Sequence, residues 1–254
     1  MELGLAGKRA LITGGSRGIG LACAHALAAE GVHLAIAARE VDPLKTATRE
    51  LRDSYDVDVT SHSCNLARTE HQAALIDVVG AVDLLINNAG AIPSGDIQAL
   101  DDKEWRAAWD IKVFAYINLC RLVLPMMTET GSGVIINIMG PATDRSPAED
   151  VAAVTGNAAL VAMTEALGSA SRNDGVRVVG VNPGLTLTDR MEQLLRDRAE
   201  RTLGNPDRWV EMVPTNPAPA SVDQVADIAL LLASDRAAHV TGTTLTVDGG
   251  NPRR

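Results

Sequence analysis

Short apolar runs alternate along this chain with longer stretches whose apolar residues recur every three or four positions. The runs Arg9–Thr13, Val32–Ala38, Val57–Ser63, Val82–Ile86, Gly133–Ile138, Val176–Val181 and Thr243–Val247 read as strands. Most of them are apolar throughout rather than alternating, which suits parallel strands buried on both faces. Between them the helical period predicts helices over Ile19–Glu30, Leu44–Arg52, Glu70–Val79, Lys103–Met127, Val151–Ser171 and Val222–Ala233. Gly31 stands just past the first of these, where a helix commonly ends. Strand and helix in strict alternation predict a single α/β domain, a doubly wound parallel sheet with helices on both faces.

The stretch 186–221 breaks this rhythm. It carries Pro206, Pro214, Pro217 and Pro219, and arginines at 190, 196, 198 and 201. An irregular segment of that length in a compact domain reads as a substrate lid or as a surface helical hairpin. No internal repeat is present.

Composition narrows the function classes. The 254 residues are 46% hydrophobic but only 2% aromatic, so Ala, Val, Leu and Ile build the core. The net charge of −9 argues against nucleic acid or an anionic membrane as partner. Cys23, Cys64 and Cys120 have no disulfide or metal spacing, and the five histidines form no ligand set, so no metal is expected. The amino-terminal segment lacks the pattern of a signal peptide, and no uninterrupted apolar run approaches the roughly 18 residues of a membrane span. A cytoplasmic protein acting on a small molecule is expected.

The candidate chemistry starts at TGGSRGIG, Thr13–Gly20. Gly14, Gly18 and Gly20 lie between the first strand and the first helix, with Ser16, Arg17 and Ile19 among them. Glycines there permit a tight turn and let a diphosphate approach free N–H groups at a helix start. The second strand ends Ala37-Ala38-Arg39. An acidic residue there usually holds the ribose hydroxyl of NAD, whereas arginine pairs with a 2′-phosphate. Arg17 and Arg39 without a carboxylate predict NADP(H) over NAD(H).

With TGGSRGIG, the segments NNAG (87–90), VNPGLTLT (181–188) and TGTTLTVDGG (241–250) stand in the order and places of the short-chain dehydrogenase/reductase family, which the chain resembles over nearly its whole length. The resemblance implies a Rossmann-type fold with a mostly parallel seven-stranded sheet, an oxidoreductase of small carbonyl or hydroxyl compounds, and a homotetramer or homodimer. It implies that Asn88, Ala89 and Gly90 line the cofactor cleft, that Pro183, Gly184 and Thr188 face the nicotinamide, and that Thr188 holds the carboxamide. Asn65, beside Leu66, takes the place of the family's aspartate at the adenine.

The same resemblance exposes a gap. The family uses a serine after the fifth strand, a tyrosine, a lysine four residues after it, and an asparagine in the preceding long helix. Those positions are Gly140, Ala153, Asn157 and Lys112 here. No shift of register restores them, because no tyrosine follows Tyr116 and no lysine follows Lys112. Loss of a general acid costs about two to four orders of magnitude.

Two residues are candidates to fill the gap. Lys112 carries an ammonium into the space around position 157, or else pairs with Asp110 or Asp144. Asp150 lies three residues before Ala153, as an acid/base partner or as an ordinary first-turn acid behind a Ser146-Pro-Ala-Glu149 cap. Thr155 is expected only to pack. Three functions remain open on the sequence: an NADP(H)-dependent oxidoreductase with a rewired acid, a cofactor-binding sensor or partner subunit without turnover, and a non-redox lyase or isomerase on the same scaffold.

Overall fold

The computed structural model describes residues 2–90, 92–140 and 148–250. Seven strands form one sheet in the order β3-β2-β1-β4-β5-β6-β7. They are β1 Arg9–Thr13, β2 His33–Ala38, β3 Val59–Ser63, β4 Leu84–Asn87, β5 Gly133–Ile138, β6 Val176–Pro183 and β7 Thr243–Val247. Every pairing is parallel. The order reverses between β1 and β4, and this opens a crevice beyond the carboxyl ends of the strands, where such sheets bind ligands.

The inner strands β2, β1, β4, β5 and β6 are buried because helices cover both faces, whereas the edge strands β3 and β7 stay largely open. One layer holds α1 Gly18–Ala29, α2 Val41–Ser54 and α8 Val222–Ala233. The other holds α3 Thr69–Val79, α5 Ala115–Thr130 and α6 Val151–Ala170. Small residues such as Ala24, Ala28, Ala226 and Ala229 are buried where α1 meets α8, so the aromatic-poor composition packs by close backbone approach. Capping boxes start two helices: Asp101 with Glu104 for α4, Asp102–Trp109, and Ser221 with Gln224 for α8.

Several predicted elements shift at their ends, as α2, β3, β4 and β6 do, and two differ in kind. The single helix expected over Lys103–Met127 is α4 and α5 joined by a π-helical turn, Asp110–Phe114. One extra residue per turn re-aims side chains, and such turns cluster at functional sites; this one carries Lys112. The irregular stretch after residue 186 is mostly ordered: α7 runs Asp189–Leu203 and a 3₁₀ turn runs Pro206–Met212. Thr188 caps α7 by accepting from the Met191 N–H at 3.2 Å. Arg196 ties the turn back onto α7 through Glu192 at 2.9 Å and Asp207 at 2.8 Å. The prolines therefore punctuate a helical element rather than dissolve it.

Candidate active site

The glycine loop is built against the end of β4. Asn88 donates its side-chain amide to the carbonyls of Thr13, at 3.0 Å, and Gly14, at 3.2 Å. The Thr13 hydroxyl accepts from the N–H groups of Asn88, at 2.9 Å, and Ala89, at 3.1 Å. A Cβ at Gly20 would lie 2.4 Å from the Asn88 amide, so only glycine admits this packing. Gly14 and Gly18 have φ of 66° and 56°, the left-handed region that favours glycine. Helix α1 then starts with no side-chain cap and no acidic residue in its first turn. Its first N–H groups face the crevice with a positive dipole, which fits the diphosphate of a dinucleotide.

At the end of β2 the structure corrects the charge reading. Arg17 and Arg39 both reach the carboxylate of Glu40, at 2.5 and 3.8 Å. The two cations expected there are brought together, but around the carboxylate of Glu40. The signal was available, since Glu40 directly follows Arg39. Asn65 accepts from the Ala67 N–H at 3.1 Å and so shapes its own turn, beside the buried Leu66. Pro183 ends β6, and the Gly184 N–H donates to the Val247 carbonyl at 2.8 Å, which ties the VNPG segment to β7. The methyl group of Thr188 lies 3.3 Å from the Cβ position of Gly18, which closes the crevice on its far side. Ser16 and Ile19 are half-buried in the loop.

The catalytic positions lie at the ends of β5 and α6. A buried polar chain fixes that junction: Asn87 donates to Asn137 at 2.9 Å, and Asn137 to Thr164 of α6 at 3.0 Å. Gly140 and Asn157 fit each other. A Cβ at Gly140 would sit 2.9 Å from the Asn157 amide nitrogen, so the amide occupies the space a serine would need. Ala153 lies one turn before Asn157 on α6. Thr155 donates to the Val151 carbonyl at 2.7 Å and serves its own helix.

Lys112 is buried, with 8% of its surface exposed. Its stem crosses Gly90, where a Cβ would meet Lys112 Cδ at 2.3 Å. Its ammonium donates to the Ile138 carbonyl at 2.9 Å, the Tyr116 hydroxyl at 3.2 Å and the Met139 carbonyl at 3.4 Å. Tyr116 in turn donates to the Ile138 carbonyl at 2.8 Å. Burial, with a smaller push from the positive charge of Arg190, lowers the Lys112 pKa to about 7. Burial raises that of Tyr116 well above the ordinary phenol value.

Neither Asp110 nor Asp150 pairs with Lys112. Asp150 precedes α6 as its N-cap residue and accepts from the Ser94 hydroxyl at 3.3 Å. Asp144 and the Ser146–Glu149 cap fall outside the described side chains. Tyr116 does not stand out as a partner in the sequence because the family pattern has its lysine after the tyrosine, whereas Lys112 comes four residues before it. Arg190 was also missed as a cleft residue: its guanidinium donates across to the Ile92 carbonyl at 3.3 Å. Among the described residues no cluster of three or more potential metal ligands occurs.

The family pattern described as short chain dehydrogenase matches residues 8–199. The 2,3-dihydro-2,3-dihydroxybenzoate dehydrogenase of Bacillus subtilis is 31% identical, the match covering 97% of each chain. Among solved structures, the L-sorbose reductase of Gluconobacter frateurii, complexed with NADPH and L-sorbose, superposes with a TM-score of 0.91 at 31% identity over 98% of both chains. A 7α-hydroxysteroid dehydrogenase complexed with NADH and a 7-oxo bile acid gives 0.86 at 26% identity, over 98% of this chain and 96% of that one. With its sheet order, its glycine loop and these matches, the chain belongs to the short-chain dehydrogenase/reductase family of oxidoreductases that bind a nicotinamide dinucleotide.

Proposed function

We propose that this protein is an NADP(H)-dependent oxidoreductase of a small carbonyl or hydroxyl compound, in which Lys112 replaces the family's tyrosine as the group that gives and takes the proton. The observation that carries the reading is the placement of Lys112. It is buried against Gly90 and the end of β5, beside the family's catalytic positions, and its ammonium is easily deprotonated near neutrality. The cofactor, when bound, supplies or accepts the hydride. Gly14, Ser16, Gly18, Ile19 and Gly20 hold its diphosphate, Asn88 and Ala89 keep the loop in shape, and Thr188 closes over it. Asn65 and Leu66 receive the adenine.

In reduction, Lys112 Nζ gives a proton to the substrate oxygen and is left as a neutral amine. Tyr116 and the Ile138 carbonyl hold that nitrogen in place and are not themselves consumed. Asn157, with Gly140 leaving it room, supplies a neutral amide where the family has a charge. The preference for NADP(H) rests on Arg17 and Arg39, partly offset by Glu40. The segment 186–221, now a helix and a 3₁₀ turn, acts as the substrate lid.

A second reading is a cofactor-binding sensor or partner subunit without turnover. It is favoured by one observation: all three ammonium protons of Lys112 point at protein oxygens. Lys112→Met separates the two. An enzyme loses about two to four orders of magnitude in kcat with NADPH binding retained; a silent binder has no turnover to lose. We further propose a cytoplasmic homotetramer or homodimer. The apolar helices spanning Asp102–Thr130 and Val151–Asp174 support an assembly, because each buries less than half of its apolar stretch within one chain.

A further inference from the structure

Three cations approach the crevice: Arg17 at the start of α1, Lys112 in the π turn and Arg190 in the first turn of α7. Their neutralisation differs. Arg17 spends its charge on Glu40 at 2.5 Å. Lys112 has only neutral oxygens as partners. Arg190 donates to one backbone carbonyl, that of Ile92 at 3.3 Å, and among the described residues no carboxylate lies within 4.0 Å of it. The neighbouring lid arginines Arg196 and Arg208 are both paired with acids at 2.8–2.9 Å. A chain of net charge −9 thus leaves a guanidinium without an acid at its crevice.

The position of Arg190 is set from two sides. Thr188, two residues earlier, lies against Gly18 of the glycine loop. Ile92, which Arg190 touches, follows Gly90 by two residues, and the stem of Lys112 lies over Gly90. Arg190 therefore spans the crevice from the glycine loop to the segment after β4. Arg190 is exposed at the crevice, and its positive charge adds to the burial of Lys112 in lowering the pKa of that lysine. Like charges that act on one another across a crevice repel until an anion joins them.

We propose that Arg190, backed by Lys112, is an anion-binding residue of the crevice, its guanidinium taking phosphate or carboxylate oxygens of the molecule bound there. The source is the diphosphate of the cofactor or a carboxylate on the substrate; the former rests on the cofactor reading above, the latter on the oxidoreductase reading. Arginine suits either, since its planar donors match both groups in a two-point contact.

The test uses wild type, Arg190→Met and Arg190→Lys, titrated with NADPH, with inorganic diphosphate and, at saturating NADPH, with tartrate, all at constant ionic strength with chloride as reference. Circular dichroism melting first establishes that each variant is folded. If the cofactor diphosphate is the ligand, Arg190→Met weakens NADPH and diphosphate about tenfold, with Arg190→Lys in between. If a carboxylate is the ligand, NADPH is unaffected and tartrate is lost. Diphosphate binding that depends on Arg190, in a protein that ignores NADPH, sinks the cofactor reading and leaves the anion site standing. Equal affinities of wild type and Arg190→Met for all three probes, or no binding of any probe by wild type, overturn the proposal.

Discussion

At the scale of single residues, the unusual positions are fitted to one another. Gly140 leaves room that the Asn157 amide occupies, and Gly90 leaves room for the stem of Lys112. Restoring the serine alone therefore meets a side chain already in place. Gly140→Ser is expected to destabilise the fold by about 1–3 kcal/mol, as overpacking does, and by clearly less when Asn157 is also replaced by alanine. Urea denaturation of the four proteins of this cycle measures the coupling, and strict additivity would show that the two sites are independent. Glu40 offers a second residue-scale prediction. Its carboxylate pairs with Arg17 and Arg39, and on the proposed NADP(H) reading it competes with a 2′-phosphate for both. Glu40→Gln should raise the affinity for NADPH relative to NADH a few-fold, up to about tenfold, read by fluorescence titration with both. An unchanged ratio would mean that these arginines do not meet the 2′-position.

At the scale of elements, most of the sheet was legible because a buried parallel strand leaves a plain mark. GVIINI and RALIT are apolar runs ended by glycine or a turn, and the structure starts and stops β5 and β1 at the expected residues. Helix α8 was equally plain, since Ser221 and Gln224 cap a regular apolar stripe. The π turn at Asp110–Phe114 was not legible, because an apolar stripe that slips by one position looks like an ordinary helix of low regularity. Its consequence was hidden with it: Lys112 and Tyr116 face the end of β5 together. The turn at Gly14 and Gly18 was legible because those glycines fall between a buried strand and a helix, and both take the left-handed conformation. The cation at Arg190 was not, because it comes from the far side of the crevice on a helix whose prolines and charges mimic a loop. The polar chain Asn87–Asn137–Thr164 left a visible trace, one asparagine in each of two apolar strands, but their partners depend on the pairing of β4 with β5 and the docking of α6.

At the scale of the whole molecule, the sheet places the start of α1, the π turn, the end of β5 and the start of α7 around one crevice, while the apolar stretches of Asp102–Thr130 and Val151–Asp174 are each less than half buried. Phe114 is 47% and Ile117 37% exposed in the first of these, in a chain with only one phenylalanine. Light scattering should give a mass that is a multiple of 26.7 kDa, and Phe114→Glu combined with Ile117→Glu should lower it. A monomeric wild type would contradict the assembly. The central claim is tested most directly by the pH dependence of kcat/KM for NADPH-dependent reduction across a panel of small ketones, wild type against Lys112→Met. The groups facing Lys112 are Tyr116, neutral throughout because its pKa is raised, and Arg190, positive throughout. The ammonium must be charged to donate, and its pKa stands at about 7. Reduction should therefore be level below pH 7 and fall about tenfold per unit above it, with oxidation of the alcohol rising over the same range. Lys112→Met should lower the activity by about two to four orders of magnitude and remove the profile. Reduction by Lys112→Met at the wild-type rate, or a profile that is flat through pH 7 in the wild type, would contradict Lys112 as the acid.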